Sequence, residues 1–397
     1  MISKEKLQEN ILNAYYDCKR NKATKVDCVR FEMRLEDNIV SLTEDVFNRN
    51  YEVSKSKAFI VNYPVKREIF AADFRDRVIH HYIAQRIEPL IEREFIEDSY
   101  NCRKGKGTNF GIDRLTDGIK KVSNNWKESA WCLSLDIRGF FMSIDKDTLY
   151  KKIKRLITRE YRGNDEDTLL YLLEKTIYNK PQDNCYRVCS KEEWKGLKAD
   201  KSLFSKKDNK GIAIGNLTSQ LLANFYLSSL DRKIANKVGF YCRYVDDLRL
   251  IDKCKKKLKK VKLILEKALN GLGLKLHKAK SKLIEVHKGI KFVGVIIMPY
   301  RTYITNRVVN KCANKILSAN KSEINVDNIQ SFIATINSYF GIFKHYKTYR
   351  IRERMFALIN KDYKQYFYGT KNLHSIKLNK KEKGEILKWQ EYRLWAS

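Results

Sequence analysis

Three aspartates stand where chemistry could be done. Asp136 ends the alternating segment WCLSLD, and Asp246 and Asp247 lie between two short apolar runs in FYCRYVDDLRLI. Clustered carboxylates are costly to bury unless neutralised, and divalent cations neutralise them well. Their hard oxygens favour Mg²⁺ or Mn²⁺ over zinc. Two such ions roughly 3.5–4 Å apart can activate an attacking hydroxyl and stabilise a leaving pyrophosphate. A single aspartate commonly just ends a strand or fills a turn. A DD pair in an aromatic hairpin, together with a third strand-end aspartate, favours the metal reading.

The elements that must position these carboxylates can be read from periodicity. Trp131, Leu133 and Leu135 alternate with Cys132, Ser134 and Asp136, a strand ending on a carboxylate. The YVDD segment predicts a β-hairpin whose turn carries Asp246 and Asp247. Residues 1–50 read as helical, with Leu7, Ile11 and Leu12 at helical spacing and a further segment around Val26–Val46. Residues 51–130 are mixed and include the Gly/Lys-rich loop CRKGKGTNFG. Residues 150–210 are polar and Lys-rich, and read as an insertion or surface excursion. Thr218 can cap a helix running to about Val238. A basic helix over 254–270, a strand over 292–297 and a helical, aromatic, basic final hundred residues complete the pattern.

The chain has 80 Lys+Arg against 47 Asp+Glu, a formal net charge of +33, so a polyanion is the expected partner and nucleic acid the commonest one. Hydrophobic residues at 43% argue for a packed chain rather than a disordered basic tail. Nine scattered cysteines, an odd number, do not form a disulfide framework, and a reducing cytoplasmic setting is expected. No apolar run resembles a signal peptide, and Phe292–Tyr300 is far too short to span a bilayer. Secreted, membrane-spanning and collagenous classes are excluded on these grounds. Cys185 and Cys189 are spaced CxxxC without a second ligand pair nearby, which disfavours zinc. His80 and His81 read as members of a packed helix, and the lysine-rich run from 254 as a solvated helix rather than a membrane-surface one.

YVDD at 244–247, LSLDIRGFFMSID at 133–145 and GIAIGNLTSQ at 211–220 resemble the C, A and B motifs of a reverse transcriptase palm, in matching order. REIFAADFRDRVIHH (67–81), SYNCRKGKGT (99–108), LKLHKAKSKL (274–283), GIKFVGVII (289–297) and SYFGIFKHYKTYR (338–350) extend the likeness over roughly 65–350. In detail the chain resembles reverse transcriptases of diversity-generating retroelements, which typically carry the pair found here as Ser219–Gln220. The resemblance implies an α+β right-hand polymerase fold: fingers with an N-terminal helical extension over 1–130, a palm with an antiparallel sheet over 131–297, a helical thumb over 298–370 and a basic tail over 371–397.

The resemblance also implies roles. Asp136, Asp246 and Asp247 would hold two Mg²⁺ ions, for which Mn²⁺ can substitute, with the backbone carbonyl of Ile137 as a further ligand. Phe141 would be the steric gate that rejects a ribose 2′-OH. Arg67 and Arg75 would clamp the triphosphate of an incoming dNTP, and Lys280 would protonate the leaving pyrophosphate. Gly215 to Gln220 would present backbone amides and a helix start to the templating base or sugar. Ile214 stands where many reverse transcriptases have glutamine, a position associated in the family with errors opposite template adenines. The implied partners are a template-repeat RNA, a cDNA or RNA primer and a small basic accessory protein, the accessory variability determinant. An RNase H segment is not expected. Two other readings remain open at this level: a bacterial reverse transcriptase without adenine mutagenesis, and an RNA-binding scaffold on a degenerate polymerase fold.

Overall fold

The structure, a computed structural model, describes residues 2–62, 65–206 and 209–379. Most of the basic tail expected over 371–397 therefore lies outside the described residues. Two compact units divide after Ile284.

The first unit opens with three helices, α1 (Lys4–Lys19), α2 (Val26–Glu32) and α3 (Leu35–Phe47). Ser3 starts α1 by accepting from the Lys6 amide at 3.3 Å, and the helix buries Leu7, Ile11, Ala14, Tyr15 and Cys18 on one stripe. Strands β1 (Ser56–Val61) and β2 (Arg67–Ala71) pair antiparallel, with Val61 opposite Arg67. There follow α4 (Phe74–Glu92), β3 (Ser99–Tyr100), α5 (Thr108–Val122), β4 (Trp131–Asp136), α6 (Phe140–Ser143), α7 (Lys146–Glu160), α8 (Glu166–Tyr178) and β5 (Cys185–Arg187). Then come α9 (Leu217–Tyr226), α10 (Ser228–Ala235), β6 (Phe240–Tyr244), β7 (Asp247–Asp252), α11 (Lys255–Gly271) and β8 (Lys282–Glu285). Five strands form one sheet in the order β3-β6-β7-β4-β8, so β4 and β7, the carriers of the carboxylates, are neighbours at its middle.

Two sequence expectations are corrected here. Residues 150–178 are not a surface excursion: α7 buries Leu149, Ile153, Leu156 and Ile157, and α8 buries Leu169, Leu172, Leu173 and Ile177. Their lysines and acids occupy the other face, so the average polarity hid two amphipathic stripes. The later part, from residue 179, holds only β5, which pairs parallel with β1, and short single turns. Thr218 does not cap the helix that follows; Asn216 precedes it, and the run breaks at Leu227 into α9 and α10, ending at Ala235. The Thr218 hydroxyl is instead 2.8 Å from His80 Nδ1, deep in the unit. The basic helix matches α11, which buries Leu258, Val261, Leu265 and Leu269 and leaves its lysines outward.

In the second unit, β9 (Ile290–Phe292), β10 (Val295–Met298) and β11 (Arg301–Ile304) form an antiparallel sheet. The expected single strand over 292–297 is thus a hairpin, turning at Val293 and Gly294, both with positive φ. Helices α12 (Asn306–Ala319), α13 (Val326–Phe343), α14 (Tyr349–Ala357) and α15 (Lys361–Lys364) precede a two-stranded ladder, β12 (Phe367–Gly369) and β13 (Ile376–Leu378). Their core gathers Ile316, Phe332, Ile336, Phe340, Phe343 and Tyr363. No helix among the described residues is long and apolar enough to cross a membrane.

Candidate active site

Register brings the carboxylates together. Asp136, the last residue of β4, lies directly opposite Asp247, the first of β7, and Asp247 in turn opposes Tyr244 of β6. The hairpin turn therefore carries Val245 and Asp246 rather than both aspartates. Val245 has φ +58°, an unfavourable conformation for a β-branched residue. It is held there by Arg243, whose Nη1 donates to the Val245 carbonyl at 2.9 Å. The Arg243 side chain is wholly buried on Asp231, with Nε–Oδ1 at 2.9 Å and Nη2–Oδ2 at 2.6 Å, and it also reaches Asn224. Tyr241 donates to the same Asp231 at 2.6 Å.

Backbone bonds tie the end of β4 to both neighbours. The Ile137 amide donates to the Asp246 carbonyl at 3.0 Å, and the His277 amide donates to the Asp136 carbonyl at 2.8 Å. The second bond places the segment carrying Lys280, whose Nζ lies 2.8 Å from Asp136 Oδ2. Asp247 is gripped by the buried Arg249 through both carboxylate oxygens, one contact at 3.1 Å. Burial and the nearby Asp136 and Asp247 lift the Asp246 carboxyl to about 6, with Arg67 pulling the other way. Burial likewise raises Asp247, opposed by Arg249.

Does this site fit divalent cations? The open donors are hard oxygens. No described side chain donates a hydrogen bond to the Asp246 carboxylate, and no described group donates to the Ile137 carbonyl. Among the described residues no three His, Cys, Asp or Glu side chains are gathered tightly enough to hold a metal alone. A hard divalent cation can be held by one or two carboxylates, with water and substrate phosphates completing its shell. The residues fit the ion, with Asp136, Asp246 and the Ile137 carbonyl as the set and Asp247 in support.

The nucleotide-side residues divide. Phe141 sits on α6, edge-on to Phe140 at 5.6 Å, and its carbonyl accepts from the Ile212 amide at 3.0 Å. Gly139 allows that short helix: its φ is +53°, and a Cβ would meet the Asp200 carbonyl oxygen at 2.6 Å. The Ile214 carbonyl accepts from the Phe70 amide at 3.2 Å, joining its loop to β2. Gly215 follows with φ +118°. Gln220 meets Cys102 of the Gly/Lys loop, Oε1 to Sγ 2.9 Å. Arg67 is exposed at the start of β2, and Asp246 feels its charge. Arg75 is committed elsewhere: it pairs with Asp45 at 2.5 Å, donates to the Glu52 carbonyl and lies over the Tyr51 ring. In the Gly/Lys loop, Arg103 is buried on Glu92 and Lys106 pairs with Glu97, leaving Lys104 outward.

Sequence reasoning missed Arg243, Arg249, Asp231 and Glu68. Glu68, fully buried on β2, accepts from Trp194 Nε1, Ser202 Oγ and the Leu203 amide, each at 2.7 Å. It fastens the irregular 179–206 segment over β2. A signal existed for the first two and for Glu68: a charged residue at a core position of an otherwise apolar strand.

The comparisons agree with this geometry. A family model described as reverse transcriptase (RNA-dependent DNA polymerase) matches residues 65–297. Protein YkfC of Escherichia coli strain K12 is 24% identical over 272 residues, 59% of this chain; the match spans 64% of that protein. Among solved structures, telomerase from Candida tropicalis in complex with a TWJ fragment of telomeric RNA matches with TM-score 0.49 and 14% identity, over 80% of this chain and 55% of that one. Telomerase from Candida albicans, in complex with the corresponding fragment, matches with TM-score 0.48 and 12% identity, over 76% and 55%. Scores of that size carry no argument by themselves. The family match spans more than half of the chain and takes in all three aspartates, and the fold class is the α+β right-hand polymerase class expected from sequence. With its three aspartates set on β4 and the β6–β7 hairpin, this chain belongs to the reverse transcriptase (RNA-dependent DNA polymerase) family.

Proposed function

We propose that the chain is an RNA-directed DNA polymerase that copies a template-repeat RNA into cDNA for a diversity-generating retroelement, with errors concentrated opposite template adenines. The observation that carries the polymerase reading is the register that sets Asp136 against Asp247 with Asp246 on the adjoining turn. Mg²⁺ bound by Asp136, Asp246 and the Ile137 carbonyl would supply the positive charge that favours attack of a primer 3′-OH on a dNTP α-phosphate. Lys280, which pairs with Asp136, would give charge or a proton to departing pyrophosphate. Arg67 would take the triphosphate. Arg75 would have to leave Asp45 to join it. Phe141 would close the space that a 2′-OH needs. The hand would divide into fingers over 1–130, palm over 131–297 and thumb over 298–370.

The retroelement reading rests on Ser219–Gln220 and on Ile214, an apolar side chain where a polar one could hold the nascent base pair. Its partners would be the template-repeat RNA and a small basic accessory protein. Primer extension on a defined RNA with four dNTPs, followed by product sequencing, tests it. Errors concentrated opposite adenines, reduced in Ile214→Gln, are the expected result. Product with an even, low error rate would overturn the mutagenic reading and leave the polymerase.

A further inference from the structure

The contacts that hold Phe141 in place come from far along the chain. α6 has four residues, too few to stand without tertiary contacts, and Gly139 starts it in the left-handed region with no side-chain cap. Before the turn the backbone is pinned: the Ile137 and Arg138 amides donate to the Asp246 and Lys275 carbonyls at 3.0 and 2.8 Å. After it, the Phe141 and Ile144 carbonyls accept from the Ile212 and Gly211 amides at 3.0 and 2.8 Å. Between these anchors the turn meets Asp200, from the single turn Ala199–Lys201.

Asp200 touches the start of α6 twice. Its Oδ2 accepts from Arg138 Nε at 2.7 Å, and its backbone carbonyl fills the space a side chain at Gly139 would need, 2.6 Å from such a Cβ. The Arg138 guanidinium holds the Asp200 carboxyl below the usual carboxylate range. The other oxygen, Oδ1, is buried and accepts no hydrogen bond. Stability alone gives no reason to keep a buried oxygen unsatisfied, and Arg138 is 63% exposed, so the pair adds little to the fold. The residues after Asp200 are fixed from the opposite side. Ser202 Oγ and the Leu203 amide donate to Glu68, the neighbour of Arg67 on β2. Residues 200–203 thus bridge β2 to the start of α6, the elements that carry Arg67 and Phe141.

We infer that Asp200 is a positioning residue for sugar selection: by holding Arg138 and the Gly139 turn, it fixes the Phe141 ring against the place of a ribose 2′-OH. The inference rests on the reading of Phe141 as the sugar gate. Such a gate acts by exclusion, so a ring free to retreat by about an ångström admits the hydroxyl it should reject. The substrate then gained is a ribonucleoside triphosphate.

The test has two readouts, both on the full chain. Single-nucleotide incorporation opposite a template cytosine gives kcat/KM for dGTP and for GTP. Asp200→Ala should lower the preference for dGTP about 10-fold, mostly through better use of GTP, with a melting temperature within about 2 °C of wild type. Asp200→Glu, which keeps the charge facing Arg138, should fall between the two. Arg138→Gln should reproduce Asp200→Ala, and the double variant should lose no more than either single one. The second readout needs no synthesis. Hydrogen exchange at the Gly211 and Ile212 amides, which are bonded to α6, should quicken at least about 5-fold in Asp200→Ala and stay unchanged elsewhere. Phe141→Ala separates the two claims. A preference lost in Phe141→Ala but kept in Asp200→Ala would overturn the positioning role alone, as would equal losses on dGTP and GTP in Asp200→Ala. A preference kept in Phe141→Ala would sink the gate reading and this inference with it. Wild-type exchange in Asp200→Ala would overturn the inference even in a chain that makes no product.

Discussion

Arg243 donates to the carbonyl of Val245 at 2.9 Å from a guanidinium wholly buried on Asp231. That contact spans the turn on which Asp246 sits, and Val245 is the residue whose backbone is strained, at φ +58°. Strain of this kind costs on the order of 1–3 kcal/mol and persists only where its surroundings overdetermine it. Here the surroundings are an ion pair linking β6 to α10. The pair sets the turn, and the turn sets the Asp246 carboxylate.

Arg243→Met should destabilise the fold by about 3–5 kcal/mol in a denaturant titration, because Asp231 is left as an uncompensated buried charge. Adding Asp231→Leu should recover most of that stability. It should not recover DNA synthesis, since Val245 has still lost its clamp. A double variant that is both stable and fully active would show the clamp to be dispensable.

Glu68→Ala strands three donors, the half-buried Trp194 indole and the buried Ser202 hydroxyl and Leu203 amide. Each unsatisfied donor costs roughly 1–3 kcal/mol unless water reaches it. The expected outcome is release of the 179–206 segment, read as faster limited proteolysis between Trp194 and Leu203, with stability lower by at least about 2 kcal/mol. Unchanged cleavage would mean that the segment is held by other contacts.

His80, buried against Thr218, has its pKa pushed down to about 4 by burial. The unfolded chain protonates near 6.5, so the folded state holds fewer protons between the two values. This site's contribution to stability is complete above about pH 6.5 and declines as pH falls towards 4. The full span is worth about 3 kcal/mol at 1.36 kcal/mol per unit. Denaturant titrations at pH 7 and pH 5 should differ by up to about 2 kcal/mol more in the wild type than in His80→Gln. Equal differences would remove His80 from the acid response.

Much of the site was legible because its signals are local. Asp136 follows from two-residue alternation, and the DD pair from the apolar runs around it. The turn was misplaced by one residue because Asp is a common turn former and Val is not. The Arg243–Asp231 pair holds Val245 at positive φ, and although a charged residue inside an apolar strand marks Arg243, no local pattern announces its partner Asp231 on α10. The same holds for Thr218, a good cap by type that His80 claims from another helix. Arg103 gives no local sign of its burial because Glu92, its partner, comes from α4. α7 and α8 were obscured by the lysines and acids on their outward faces, which raise the average polarity without disturbing the buried stripe.

The central claim is that Asp246, on its turn beside Asp136 and Asp247, is the carboxylate on which metal-dependent DNA synthesis depends. The direct measurement is primer extension on an RNA template with Mg²⁺ and four dNTPs, comparing wild type with Asp246→Asn at matched duplex occupancy. The account predicts product from the wild type only with divalent cation. It predicts loss of at least about 1,000-fold in the variant, which should remain folded and bind duplex normally; a loss of that size corresponds to about 4 kcal/mol of transition-state stabilisation. Near-wild-type synthesis by Asp246→Asn, or wild-type synthesis undiminished by chelation, would contradict it.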